Sequence, residues 1–221
     1  MIALFDVTIP EDGGDNPAVR DLSLRLEASG WHEIVGPSGA GKTALFEVMT
    51  LRRRPKRGKL VVAGRNVDRM KRAELAQVRQ DLGSCPEEPV LLRRRTAVEN
   101  AVLPMVVRGA SEEAVEAAEE ALGFLGVMSE RDRTVASMSS QHRALVGLAM
   151  ATVGTPAVIA IDAVHERLEP AVRGMVLSWL ERKQDQGSTV VIFGRRPTNR
   201  RAESSVWRMR DGRIEETDEA R

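Results

Sequence analysis

The spacing of apolar positions along the chain changes period twice, from two to about 3.6 and back again. Residues 2–8 and 19–27 alternate apolar with polar side chains, the pattern of half-buried strands. Between them, Gly13 and Gly14 to Pro17 read as a turn. A short strand over 31–35 runs straight into a glycine-rich stretch, and 42–51 reads as a helix. Leu60 to Val62 followed by Gly64 suggests another hairpin strand. From 71 to 80, and again from 111 to 125, Ala, Glu and Leu recur at helical spacing, with Ser111, Glu112 and Glu113 suiting a helix start. The run 157–161 is apolar throughout and ends in Asp162, as expected of a strand buried on both faces of a parallel sheet. An amphipathic helix over 170–184, a buried strand over 189–193 and a hairpin turning at Asp211 and Gly212 complete the pattern. It predicts an α/β chain with a strand-rich start and helices inserted in the middle.

Composition narrows the class. The 221 residues suit one domain, 1–221, and 42% hydrophobic against 29% charged residues allows a buried core with a solvated surface. Lys and Arg number 33 against 32 Asp and Glu, a formal net charge of +1, so bulk electrostatics gives no reason to expect nucleic acid. The Arg clusters at 52–54, 93–95, 195–196 and 200–201 lie among carboxylates and read as solvated faces or partner contacts. Cys85 stands alone, which rules out an internal disulfide and fits a reducing compartment. The start of the chain carries Asp6 and no signal-peptide core, and no apolar run approaches the ~20 residues that span a bilayer. A cytoplasmic location is expected, with any membrane role coming through a partner.

One segment carries chemistry. Gly36, Pro37, Ser38, Gly39, Ala40, Gly41, Lys42 and Thr43 fit G-x-x-x-x-G-K-[ST], between an expected strand and an expected helix. In that setting successive backbone N–H groups and the helix N-terminus cradle phosphate oxygens. Lys42 is expected at the β- and γ-phosphates of ATP and the Thr43 hydroxyl on Mg²⁺. Asp162, at the end of the apolar strand, is placed to be the second Mg²⁺-linked group.

The remaining motifs resemble those of ABC transporter ATPases, especially the branch serving bacterial cell division, lipoprotein release and macrolide export. Ala18, Val19, Arg20, Asp21, Leu22 and Ser23 resemble A-L-x-D-V-S, and Gly64, Arg65, Asn66 and Val67 resemble G-x-D-V. The stretch from Leu91 to Pro104 resembles L-L-x-x-x-T-V-x-E-N-V-x-x-P, and Asp211, Gly212, Arg213 and Ile214 the closing D-G-R-I. The resemblance implies an ABC-type P-loop NTPase core with an N-terminal antiparallel β lobe and a helical subdomain inserted at about 88–150. It implies ATP and Mg²⁺ as ligands, membrane permease subunits as partners, and peripheral attachment at the inner face of the cell membrane.

Several family positions depart from the pattern. Glu87 stands at the Q-loop glutamine, and Met138, Ser139, Ser140, Gln141 and His142 stand at the L-S-G-G-Q signature. Ala163 replaces the glutamate after Asp162, and Arg195 replaces the switch histidine. A methyl group accepts no proton, and an arginine is longer and permanently charged. Residues 8–13 offer no aromatic to stack on adenine. Family members work as head-to-tail pairs, so these changes would weaken both sites of a pair with an intact paralogue. The leading expectation is a catalytically weak or inactive subunit in such a heterodimer, a homodimer being the other arrangement. An active ATPase with a displaced base, from Glu166 or Glu169, and a scaffold that no longer binds nucleotide stand as alternatives. His142 and His165 are expected at the surface without a role.

Overall fold

The computed structural model describes residues 1–218 apart from 12, 14, 15, 199 and 202. Part of the turn expected at 13–17, and Asp12 of the adenine-facing stretch, lie outside the described residues. The chain opens with β1 (Ile2–Pro10) and β2 (Pro17–Leu26), paired antiparallel so that Ile2 meets Leu26 and Leu4 meets Leu24. After β3 (Trp31–Val35) and α1 (Lys42–Met49) come β4 (Arg57–Val62) and β5 (Arg65–Asn66). These complete a four-stranded antiparallel sheet in the order β2-β1-β4-β5. This is the N-terminal antiparallel β lobe that the resemblance implies, and β1 and β2 are the strands expected from the alternation at 2–8 and 19–27.

Next are α2 (Arg72–Gln80) and β6 (Leu82–Cys85), followed by α3 (Ala97–Ala101), α4 (Leu103–Val107), α5 (Ser111–Phe124) and α6 (Ser140–Thr152). The chain then returns to β7 (Val158–Asp162), α7 (Pro170–Asp185), β8 (Thr189–Gly194), β9 (Ser205–Arg210) and β10 (Arg213–Asp218). The second sheet runs β10-β9-β3-β8-β7-β6, parallel throughout except for β10. Four helices, α3 to α6, thus lie between β6 and β7 in the chain.

Three of these helices gave no periodic signal: α3 and α4 have five residues each, too short to repeat an apolar stripe, and α6 buries every residue from Ala144 to Ala149, so no one-sided stripe stands out. A capping box starts α3: Thr96 accepts from the Glu99 N–H while Glu99 accepts from the Thr96 N–H. Fully buried Asn100 then fastens the preceding loop, accepting from Leu92 N at 2.7 Å and donating to Leu92 O and Thr96 O.

Successive residues of the central strands face opposite cores, as the two-residue period of a strand requires. Ile159, Ile161, Val190 and Ile192 pack with the helices, among them Leu145, Leu148, Val176 and Leu180. Val158, Ala160, Val191 and Phe193 pack with α1 and the antiparallel sheet. Phe46 of α1 meets Phe193 edge-on with ring centroids 5.7 Å apart. Such two-sided burial is why 157–161 reads as unbroken apolar residues. It also fixes the site: Val35 pairs with Gly194, and Asp162 with Phe193, so the chain leaves β3, β8 and β7 at one edge of the sheet. Ligand crevices of open parallel sheets form at that edge.

Candidate nucleotide-binding site

The loop leaving β3 is held in place by backbone contacts that only glycine allows. A Cβ on Gly36 would lie 2.0 Å from Met209 O, and one on Gly41, at φ 95°, would lie 2.3 Å from Ala18 O. Helix α1 starts directly after Gly41 with no side-chain cap and no acidic residue in its first turn. Its leading N–H groups, with the positive end of the helix dipole, therefore face the crevice available to an anion. Lys42 Nζ donates to Gly36 O and Pro37 O, both at 2.7 Å. Burial pulls the Lys42 ammonium below its usual pKa, while Asp162 and Glu166 push it back up.

Asp162 is buried at the end of β7. Burial raises its carboxyl above the usual range, and a hydrogen bond from the Thr43 hydroxyl opposes that rise. Thr43 and Asp162 therefore form a hard-oxygen pair beside Lys42, a donor set that suits Mg²⁺. They line a cavity of about 640 Å³ together with Ser38, Gly39, Gly41 and Ala44.

The same cavity holds departures from the motif. Ala163 adopts the left-handed conformation, φ 51° and ψ −1°, and opens a 3-10 turn over Val164–Arg167. Its N–H donates to Phe193 O, and Glu166 N–H returns to Ala163 O at 2.9 Å. Glu166 then reaches across to β8, where its Oε1 accepts the Arg195 backbone N–H and its Oε2 lies 3.8 Å from Arg195 Nε. Glu87, Ala163, Glu166 and Arg195 all border the same cavity as Lys42, Thr43 and Asp162.

The ABC transporter family model matches residues 19–164, two thirds of the chain's length. The chain belongs to the ABC transporter family. Similar curated proteins include the methionine import ATP-binding protein MetN of Cupriavidus metallidurans, 31% identical over 83% of this chain and 54% of that protein. Another is MetN 1 of Burkholderia lata, 31% identical over 87% of this chain and 57% of that protein. The chain thus spans about half the length of the curated relatives it matches. Among solved structures, the ATP-binding cassette MJ0796, in a dimeric post-hydrolysis state bound to ADP and Pi, superposes with a TM-score of 0.90. It is 22% identical, and the match covers 100% of this chain and 99% of that one. The cassette MJ1267 in its ADP conformation gives 0.78 at 19% identity, over 99% and 91%. The fold is the ABC-type P-loop NTPase fold, mixed α/β with one antiparallel and one mostly parallel sheet.

In this ABC cassette the signature-equivalent residues stand apart from the phosphate loop. Ser139 caps α6, its Oγ accepting from His142 N at 3.1 Å, which leaves its hydroxyl hydrogen free to donate. Ser140 and Gln141 line a second cavity of about 560 Å³ with Glu88, Val90 and Leu91. Arg143 donates to Met138 O, and His142 Nδ1 lies 3.6 Å from Glu130 Oε1 on an exposed face. Glu87 is exposed, with Arg167 Nη1 3.9 Å from its carboxylate and 3.5 Å from that of Glu88.

One histidine expectation is corrected. His142 is partly exposed, but His165 is only 3% exposed and packs against Gly194, its Nδ1 without a hydrogen-bond partner. The 3-10 turn rolls it inward, an orientation that strand or helix periodicity does not signal. Sequence reading also missed Glu33, a fully buried carboxyl on β3. It accepts from Trp31 Nε1 and from both the N–H and the hydroxyl of Thr198. A single polar residue inside the strand 31–35 was the available signal.

Proposed function

We propose that this chain is an ATP-binding subunit of a membrane transport complex that holds Mg-ATP and turns it over weakly. One observation carries the reading. Thr43, Asp162 and Lys42 line one cavity under an uncapped helix start, while the residue after Asp162, Ala163, presents only a methyl group to it. The phosphate loop, residues 36–43, would cradle the phosphates, Lys42 would pair with the β- and γ-phosphates, and Thr43 with Asp162 would hold Mg²⁺. When bound, Mg²⁺ neutralises charge on the phosphates. Residue 163 supplies nothing to polarise water, so turnover is slow.

Exposed apolar residues in the 87–104 segment, Val90 at 74% and Leu92 at 51% exposure, fit docking on permease subunits. No helix among the described residues is long and apolar enough to cross a membrane, and the subunit attaches at the inner face through those partners. An intact paralogue fits the second position better than a copy, because two copies would share the Ala163 and Met138 to His142 changes. The motifs resemble the cell-division, lipoprotein-release and macrolide branch, whereas the curated relatives are named for methionine import. Copurification of the permease decides between them.

The test is thermal unfolding with and without Mg-ATP, alongside phosphate release. Mg-ATP at 100 times its Kd should stabilise the chain by about 2.7 kcal/mol, Lys42→Ala should abolish this, and turnover should stay below about 1 s⁻¹. An absence of stabilisation at millimolar nucleotide would favour a scaffold. Faster turnover that depends on Lys42 would sink the weak-subunit reading.

A further inference from the structure

We infer that Glu166 is the carboxylate through which this site cleaves ATP, replacing the group that Ala163 lacks. This rests on the proposed binding of Mg-ATP at residues 36–43. Ala163 is the point where the 3-10 turn begins, and the Glu166 N–H to Ala163 O bond of 2.9 Å closes that turn. Glu166 thus lines the same cavity as Ala163, Lys42 and Asp162, and brings to it a carboxylate where Ala163 brings only a methyl group.

Two features hold it there. Oε1 accepts the backbone N–H of Arg195, the first residue after β8. Gly194 makes the approach feasible, since a Cβ there would come within 3.0 Å of that same oxygen. One oxygen is therefore fixed to the backbone, and the other lies 3.8 Å from Nε of the Arg195 guanidinium. The Arg195 side chain is 73% exposed, so this ion pair is weak and exchangeable. A γ-phosphate entering beside Lys42 carries more charge than one carboxylate and is the stronger attractor for the guanidinium. When Arg195 moves to it, Oε2 is freed next to the reacting phosphorus.

The step balances as hydrolysis. Glu166 Oε2 takes a proton from water as the water oxygen bonds to the γ-phosphorus. The bond from that phosphorus to the β,γ-bridging oxygen breaks, and its electron pair leaves on ADP. Glu166 then returns the proton to solvent.

The test is cleavage of radiolabelled Mg-ATP under single-turnover conditions with the full chain in excess, with Mg-ATP stabilisation read in parallel. Glu166→Gln keeps a carbonyl oxygen for the Arg195 N–H, so the turn should survive. It should slow cleavage about 100-fold or more, the usual contribution of a positioned base, without changing Mg-ATP stabilisation. Ala163→Glu added to Glu166→Gln should restore cleavage, a result that a merely structural Glu166 would not give. Equal rates for wild type and Glu166→Gln would overturn the inference. So would a wild-type chain that binds Mg-ATP and never cleaves it, an outcome that leaves the ATP-binding part of the proposed function standing and removes its weak turnover. Failure to bind Mg-ATP at all would instead remove the proposed function, and this inference with it.

Discussion

Replacing Glu33 tests how much the site depends on polar contacts behind it. The carboxyl is wholly buried in β3 and satisfies three donors: Trp31 Nε1 at 3.0 Å, Thr198 N at 2.6 Å and Thr198 Oγ1 at 2.7 Å. Glu33→Ala strands all three. A buried donor left without an acceptor costs about 1–3 kcal/mol. Trp31 is 1% exposed, so its indole N–H keeps the full penalty, whereas Thr198 is partly exposed and recovers some of its loss from water. Counting the two Thr198 donors at about half weight gives a total near 2–6 kcal/mol. Glu33→Gln keeps one acceptor oxygen and turns an NH₂ toward a remaining donor, so about 1–3 kcal/mol is expected. Urea unfolding followed by tryptophan fluorescence measures both. A Glu33→Ala chain within about 0.5 kcal/mol of wild type, the scatter of neutral surface changes, would refute the reasoning, as would a Gln variant less stable than the Ala variant. The same loss would free Thr198, in the loop after Arg195, from its bonds to β3.

Two further outcomes follow from burial. His32 and His165 are both held below their usual pKa by burial, offset in part by Glu27 at His32 and by Glu166 and Glu33 at His165. Each stays neutral in the folded chain where the unfolded chain takes a proton, so their full stability is present above about pH 6.5 and shrinks as pH falls below it. Urea midpoints between pH 7.5 and 5.5 should decline, and a His32→Gln, His165→Gln double variant should decline less; a rise on acidification contradicts the sign. Cys85 is fully buried and its thiol pushed well up by that burial. A thiol reagent should therefore label the chain only as fast as it unfolds, and labelling of native protein at the rate of a small free thiol would show that site to be open.

The phosphate loop was legible because its chemistry demands particular residues at fixed spacing, and its flanking strand and helix appeared where the motif needs them. Strands β7 and β8 were legible because two-sided burial leaves an unbroken apolar run. Strand β6 was not: Leu82, Gly83, Ser84 and Cys85 form a short edge strand whose Gly83 lies so close to Ala151 O that a Cβ would fall 1.8 Å away. Close packing against another backbone, not an apolar side-chain pattern, selects those residues. Glu166 was visible only as a candidate, because its place depends on how tightly the turn after Ala163 closes. The inward rotation of His165 depends on the same turn. Glu33 was hidden because a lone carboxyl in an apolar strand says nothing of the partners that justify its burial until Thr198, far away in sequence, is brought beside it.

The turn at Gly212 has a reach beyond its own hairpin. Its N–H donates to Ala40 O in the phosphate loop at 3.1 Å, and its carbonyl accepts from Arg20 N of β2 at 2.9 Å. A Cβ there would sit 2.6 Å from Ala18 O, so no other residue fits without displacing that contact. Strand β9 meanwhile covers the outer flank of β3. The nucleotide cradle is thus finished by chain that lies some 170 residues later than the cradle itself, at a joint where three remote segments meet. Removing β9 and β10 would turn β3 into an edge strand and unfasten Ala40, so a C-terminal truncation would act as a lesion of the phosphate loop while leaving every residue of the loop in place.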